Sequence, residues 1–94
     1  MAAYIIALME KKKDAAALKA YLNKVPGTMP AGVKPLAAYG KFELLEGDPI
    51  EGAVILEFPT FEDAKTWYDS PAYQEVKAHR QQGGDYRMLI VEGR

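Results

Sequence analysis

Apolar positions along the chain predict two strands that are apolar on both faces. Residues 3–9, AYIIALM, are apolar throughout, and residues 53–58, AVILEF, contain a single charged side chain, that of Glu57. Strands of this kind are typical of the buried centre of a sheet. The pattern therefore predicts that both segments are central strands.

The stretch after residues 53–58 predicts a helix that is split in two. Pro59 ends the strand, and Thr60 supplies an N-cap for a helix whose apolar and aromatic side chains share one face. Ser70–Pro71 then starts a second helix, because serine is a good N-cap and proline loses no hydrogen bond at the first helical position. The second helix is predicted to extend to about Gln81 and to end before Gly83–Gly84.

An amphipathic helix is also predicted nearer the start of the chain. Asp14 can cap a helix that begins at Ala15 and carries apolar residues with helical spacing as far as Val25. The lysines at 11–13 are predicted to be a solvated connection ahead of this helix. Residues 28–32 are predicted to form a loop after it.

A long, bent edge strand is predicted between that loop and the central stretch. Pro35 cannot donate to a strand ladder, so its segment belongs at an edge or at a bulge. Tyr39–Gly40 is the natural position for a bulge, and residues 41–46 then alternate apolar with charged side chains. The turn at 47–49 is predicted to join this strand and residues 53–58 in a hairpin.

The elements follow the order β-α-β-β-α-β, with residues 86–92 as the last strand. That order predicts an α+β, ferredoxin-like fold in a single domain of residues 1–94, with a four-stranded antiparallel sheet, both helices on one face and the second helix split. The other face of the sheet is left open although the central strands are apolar there. The same face of a second copy, packed about a two-fold axis, is its simplest cover, so the sequence predicts a homodimer.

Composition excludes several classes of partner. Thirteen acidic and twelve basic residues leave a net charge of −1, and the basic residues are scattered apart from the run at 11–13, so we predict no nucleic-acid partner. The chain has no cysteine, which fits a reducing compartment. The apolar run at 2–9 is too short to cross a bilayer. We therefore predict a cytoplasmic protein with no membrane partner.

Three stretches resemble a known family. They are LLEGD (44–48), VILEFPTFEDAKTWYDSPAYQEVKAHR (54–80) and IVEG (90–93), and the middle one is the most specific. The chain resembles the family called domain of unknown function 1330, a branch of the dimeric α/β-barrel superfamily. The resemblance implies a ferredoxin-like sheet that pairs into a dimeric barrel, and it implies no established activity. The wider superfamily holds several unrelated chemistries, so the fold does not determine the reaction.

Candidate chemistry centres on His79 and Arg80, where a base that titrates near neutral pH adjoins a fixed cation. Tyr73 lies on the same helical stripe as Arg80, so Arg80 could fix a carboxylate or enolate oxygen while Tyr73 donates to it. His79 would then be the acid or base. The alternative is that both cations complement the helix dipole in its last turn and need no ligand.

Four residues are candidates for ligand binding. Trp67 and Tyr73 belong to an aromatic cluster at helical spacing that can be either core packing or a substrate platform. Asp69 can cap the helix break or accept a hydrogen bond from a tyrosine or an arginine. Tyr39 is a candidate because it lies at the predicted bulge, and bulges often redirect a side chain next to an active site.

The sequence predicts no cofactor. A single histidine without cysteine provides no usual zinc set, and no glycine-rich phosphate loop leads from a strand into a helix. Haem would need His79 as its axial ligand, in a large cavity.

The leading hypothesis is a small, mainly apolar pocket between helices and sheet that binds a small aromatic or carbonyl-containing metabolite, with cofactor-independent acid/base chemistry possible there. The alternative is a non-enzymatic dimeric module that binds a metabolite or a protein partner.

Overall fold

A computed structural model describes residues 1–94 and confirms the ferredoxin-like fold. The four strands form one antiparallel sheet in the order β2-β3-β1-β4, so the two segments with the apolar pattern are its central strands. The elements are β1 (Ala3–Lys12), α1 (Ala15–Lys24), a 3₁₀ turn (Val25–Thr28), β2 (Lys34–Ala38), β3 (Gly52–Phe58), α2 (Phe61–Asp69), α3 (Pro71–Gly83) and β4 (Gly84–Glu92).

Side-chain caps fix the starts of all three helices as the sequence predicts. The Asp14 carboxylate accepts hydrogen bonds from the amides of Ala16 and Ala17 at 3.0 and 3.1 Å. The hydroxyl of Thr60 accepts from the amide three residues on at 3.0 Å, and that of Ser70 does the same at 3.2 Å. Each cap satisfies amides that the helix cannot pair. The longest helix has 13 residues, and none has the length and apolar character needed to cross a membrane.

The helices pack on one face of the sheet, and the core lies between them. Along β1 the buried positions alternate, with Ala3, Ile5, Ala7 and Met9 facing the helices. The molecule measures 18 Å along its shortest axis, which corresponds to one helix layer on one sheet. The central cluster of this core contains Ile5, Tyr21, Val25, Leu56, Phe58, Ala64, Trp67, Tyr73 and Val76.

The other face of the sheet is apolar and uncovered. Ile6 pairs with Ile55 on one side and with Leu89 on the other, so these three side chains lie together at its centre. Leu89 and Val91 on this face are exposed. We call this surface the open face; it consists of Tyr4, Ile6, Leu8, Ala53, Ile55, Leu89 and Val91, with the charged residues Glu57 and Arg87 at its opposite ends.

The prediction of a long, bent edge strand is wrong in its second half. β2 ends at Ala38, and residues 41–46 form no strand. Tyr39 has a φ of 56°, in the left-handed region, and this conformation turns the chain out of the sheet just after the Tyr39 amide has donated to the carbonyl of Ala53. The irregular segment 40–51, which we call the arm, therefore leaves the sheet here.

Two smaller predictions also need correction. The bulge in the edge strand lies between Pro35 and Ala37, where the register with β3 shifts, and not at Tyr39–Gly40. β1 continues to Lys12, because Lys11 and Lys12 pair with the start of β4, so the lysine run is only partly a connection. Pro35 does lie on an edge strand, as expected for a residue without an amide hydrogen.

Candidate ligand-binding cavity

A cavity of about 380 Å³ lies between the helices and the sheet. Fourteen of its 17 lining residues are hydrophobic, and the lining comes from all three helices, the loop after α1 and all four strands. A volume of this size falls in the usual range for small-molecule sites. The lining residues are Ile5, Ala7, Tyr21, Leu22, Val25, Pro26, Met29, Val33, Pro35, Ala38, Tyr39, Val54, Leu56, Trp67, Arg80, Tyr86 and Met88.

One charged side chain and four tyrosines form what we call the tyrosine–arginine cluster. Arg80 Nε donates to the hydroxyl of Tyr73 at 3.3 Å, and that hydroxyl is 3.0 Å from the hydroxyl of Tyr21. On the other side, the Arg80 guanidinium carbon lies 5.1 Å from the centre of the Tyr86 ring, and the hydroxyl of Tyr86 is 2.7 Å from that of Tyr39. The cluster therefore places a cation between two hydrogen-bonded pairs of tyrosines.

The sequence of α3 explains why Arg80 is directed inward. Tyr73, Val76, Arg80 and Gly83 are the buried residues of this helix and follow one stripe with the spacing of three to four residues. Gly83 lets α3 approach α1 closely, since a Cβ there would lie 2.6 Å from the Leu18 side chain. The close contact between α1 and α3 therefore keeps Arg80 on the buried side of α3.

Gly52 has a comparable role for the other tyrosine pair. A Cβ at this position would lie 2.7 Å from a ring atom of Tyr39. The absence of a side chain at the first residue of β3 therefore leaves room for the Tyr39 ring to reach Tyr86.

Arg80 is a buried cation without an anionic partner. Arg80 is only 6% exposed. It takes part in none of the ion pairs of the chain, which are Lys13–Asp85, Lys34–Glu57 and Lys65–Asp69. Its only hydrogen bond to protein is the one from Nε, so the four hydrogens on the terminal nitrogens have no protein acceptor, and these nitrogens keep some contact with solvent because no fully buried side-chain nitrogen of the chain lacks a partner. Buried charges are ordinarily paired, which makes this guanidinium an unusual feature of the cavity.

Two tyrosines of the cluster are held in the neutral form. Burial raises the pKa of Tyr21, and the neighbouring Tyr73 raises it further. Burial likewise raises the pKa of Tyr86, with the hydrogen bond to Tyr39 as the next cause. Both hydroxyls therefore remain proton donors throughout the physiological pH range.

These pKa shifts make stability depend on pH above the ordinary tyrosine value of 10.0. Below that pH the native and unfolded chains are both protonated; above it the unfolded chain loses protons first, so stability falls as pH rises. We expect the midpoint of urea unfolding to be constant from pH 8 to 9.5 and to fall between pH 10 and 12. In the variant Tyr86→Phe the fall should be smaller, and an equal fall in both proteins would contradict the assignment of Tyr86.

The structure brings three of the sequence-predicted site residues to the cavity wall. Arg80, Tyr39 and Trp67 line it. Tyr73 is 0% exposed and lies behind Arg80, so it orients the guanidinium without lining the cavity. Trp67 does not fill the cavity: it packs 4.1 Å from the ring centre of Tyr73, and its Nε1 donates to the hydroxyl of Thr28 at 3.0 Å.

The structure does not bring His79 or Asp69 to the cavity. His79 lies on the outer side of α3, where its Nε2 accepts a hydrogen bond from the Lys24 ammonium at 3.3 Å. Adjacent helix positions diverge by about 100°, so a residue beside the inward-facing Arg80 points elsewhere. Asp69 forms an exposed ion pair with Lys65 at 2.6 Å, one turn earlier on α2. A catalytic role for His79 stays a prediction that the geometry does not support.

Sequence reasoning missed Tyr21 and Tyr86 as site residues. Tyr21 has a signal, because it is a tyrosine within an otherwise aliphatic stripe, and a buried hydroxyl needs a partner. Tyr86 has none in the local pattern, because its approach to Arg80 depends on how β4 returns beneath α3.

A family model described as Domain of unknown function (DUF1330) matches residues 2–94. No curated protein matches the chain. Solved structures with similar folds include a protein of unknown function from Rhodopseudomonas palustris, with 21% identity and a TM-score of 0.76 over 99% of this chain and 82% of that one.

Two other similar structures are described as dimeric and ferredoxin-like, both of unknown function. The one from Thermobifida fusca has 13% identity and a TM-score of 0.69, over 99% of this chain and 92% of that one. The one from Bacteroides fragilis has 15% identity and a TM-score of 0.59, over 98% and 96% respectively. At these identities the likeness supports the fold and carries no activity.

Proposed function

Because the chain belongs to the DUF1330 family, whose description assigns no activity, we propose a function from its own geometry: a homodimeric module that binds a small, mainly apolar molecule between helices and sheet. The observation that carries this proposal is the cavity of about 380 Å³ with the tyrosine–arginine cluster at its wall. An apolar cavity with a few convergent polar groups is the usual form of a ligand site.

Binding is better supported than acid/base catalysis. The lining contains no carboxylate, histidine or lysine, so it offers no group that could accept a proton near neutral pH. The raised pKa values of Tyr21 and Tyr86 make these residues poor bases as well. An enzyme built on this site would be limited to polarising a carbonyl oxygen with Arg80 and the tyrosine hydroxyls, and this is our second candidate.

The homodimer forms part of the proposal because the open face needs a cover. The centre of the face is apolar across three adjacent strands, and a soluble monomer rarely exposes so continuous a patch. The similar proteins from T. fusca and B. fragilis are described as dimeric. We assign the arm to the same interface, because it carries the exposed side chains of Phe42, Leu44 and Leu45 and has no partner strand in its own sheet.

Filling the cavity is the direct test of ligand binding. Ala7 is buried on the helix-facing side of β1 and lines the cavity, so Ala7→Leu should occupy ligand space. We expect binding of octanoate, a small amphiphile, to weaken about tenfold or more, a loss of about 1.4 kcal/mol, because the larger side chain takes up space that the ligand would occupy. Trp67, the single tryptophan, lines the cavity, and its fluorescence provides the titration signal beside calorimetry.

The matched control is Ala72→Leu, which makes the same change at an exposed position of α3 that does not line the cavity. This variant should bind octanoate as the unaltered protein does. If Ala7→Leu also retains full affinity, the probe binds elsewhere and the proposed site is wrong.

A further inference from the structure

We propose that the natural ligand is a monocarboxylate, with its carboxylate on the terminal nitrogens of Arg80 and its apolar body along the cavity. This inference rests on the proposed function and adds the charge and the orientation of the ligand. It is carried by the partnerless guanidinium, which is 6% exposed and lines the cavity.

Charge compensation is the first step of the argument. A cation on a residue only 6% exposed is costly unless an anion lies beside it, and no carboxylate of the protein pairs with Arg80. The cavity lining contains no other charged side chain, so one monoanion would neutralise it. A dianion would leave one negative charge without a partner.

Hydrogen-bond geometry is the second step. The bond from Nε to the Tyr73 hydroxyl orients the guanidinium, whose carbon lies 5.1 Å from the centre of the Tyr86 ring. The terminal nitrogens thus remain as a pre-oriented fork, which matches the two oxygens of a carboxylate. Tyr39 and Tyr86 line the same cavity, with their hydroxyls 2.7 Å apart.

The surroundings of Arg80 favour the cavity side for the anion. Arg80, Tyr86 and Met88 also line a shallow outer cleft, so they form the wall between that cleft and the cavity. Asp85 lines the outer cleft and would repel an anion there, although Lys13 pairs with it at 2.9 Å. The cavity side has no carboxylate.

The volume sets the size class of the apolar body. An engineered cavity of about 150 Å³ holds benzene, so about 380 Å³ admits a single substituted ring or a medium-length alkyl chain. Most of the lining is apolar and includes Val25, Met29, Val33 and Leu56, whose side chains offer a polar tail no hydroxyl, amide or charged group.

A pair of probes that differ only in the headgroup tests the inference. Octanoate and octanamide have the same chain length, but only octanoate is charged at pH 7.5. By calorimetry and Trp67 fluorescence we expect octanoate to bind about 10- to 100-fold more tightly, the range for hydrogen bonds to charged groups. The preference should vanish in Arg80→Gln, which keeps a polar side chain without the charge. Arg80→Lys, which keeps the charge but loses the fork, should retain only part of it.

Each outcome separates the two proposals. If both probes bind equally in the unaltered protein, the monocarboxylate inference is overturned while the cavity remains a binding site. Tighter binding of octanamide would overturn it too. If neither probe binds, the proposed function fails and the inference fails with it. A preference for octanoate that persists in Arg80→Gln would place the anion at another residue and would also overturn the inference.

Discussion

The variant Arg80→Met is expected to raise the stability of the ligand-free protein while it removes the preference for a carboxylate. Methionine has a similar length to the arginine stem and fits among apolar neighbours, but it carries no charge. The native structure would then no longer hold a cation that lacks an anionic partner. Replacing a buried charge by an apolar side chain of similar shape is often neutral or stabilising.

The balance of terms supports a net gain. Withdrawing a cation from water costs several kcal/mol even after relaxation. The contacts that offset this cost are one hydrogen bond to Tyr73, worth about 1–3 kcal/mol, and the contact with the Tyr86 ring, worth about 0.5–2 kcal/mol. The Tyr73 hydroxyl keeps Tyr21 as a partner when Nε is removed, so no hydroxyl is stranded.

We expect a gain of about 1–3 kcal/mol, which for a domain of this length raises the thermal midpoint by about 5–15 °C. The measurement is thermal unfolding of both proteins at equal chain concentration, without ligand and then with octanoate. Octanoate should raise the midpoint of the unaltered protein and raise that of Arg80→Met much less at the same concentration.

Lys77→Met is the matched control. Lys77 lies on the same helix with its ammonium 5.3 Å from the centre of the Tyr68 ring, but it is not buried. The same substitution there should change stability by no more than about 0.5 kcal/mol. If Arg80→Met lowers the midpoint instead, the guanidinium stabilises the fold and its lack of an anionic partner says nothing about a ligand.

Local signals in the sequence were sufficient for most of the fold. The caps at Asp14, Thr60 and Ser70 depend on side chains within three residues of the amides they bind, so they are visible in sequence. The same holds for the stripe that buries Tyr73 and Arg80, because helical periodicity alone places them on one face. The order of the elements then determined the sheet.

The remaining errors concern long-range geometry. Residues 41–46 have the alternation of a strand, but a strand also needs a neighbour, and the left-handed Tyr39 removes the segment from its own sheet. Tyr86 joins the candidate site only because β4 returns beneath Arg80, a relation with no local signal. The chemistry of His79 makes it a candidate, but its neighbour Arg80 faces the core. Adjacent helix positions point in different directions, and the imidazole lies beside Lys24 instead.

The substitution Leu89→Lys is expected to convert the protein into a monomer. Leu89 is 48% exposed in the protomer and lies beside Ile6 at the centre of the open face. Lysine should therefore change the stability of the isolated protomer little, whereas a homodimer would have to bury one lysine in each copy. Losing one buried leucine costs about 1.5–3 kcal/mol, so two copies weaken association by about 10²- to 10⁴-fold.

The control for this variant is Leu22→Lys, because Leu22 has the same exposed fraction of 48% but lies on α1, on the opposite side of the sheet. Sedimentation at micromolar concentration should give twice the chain mass of 10.4 kDa for the unaltered protein and for Leu22→Lys, and a single chain mass for Leu89→Lys. Amides of residues 41–46 should exchange with solvent faster in Leu89→Lys, since the arm would lose its contact with the second copy. A single chain mass for the unaltered protein would refute the homodimer, and unchanged exchange in a monomeric Leu89→Lys would remove the arm from the interface.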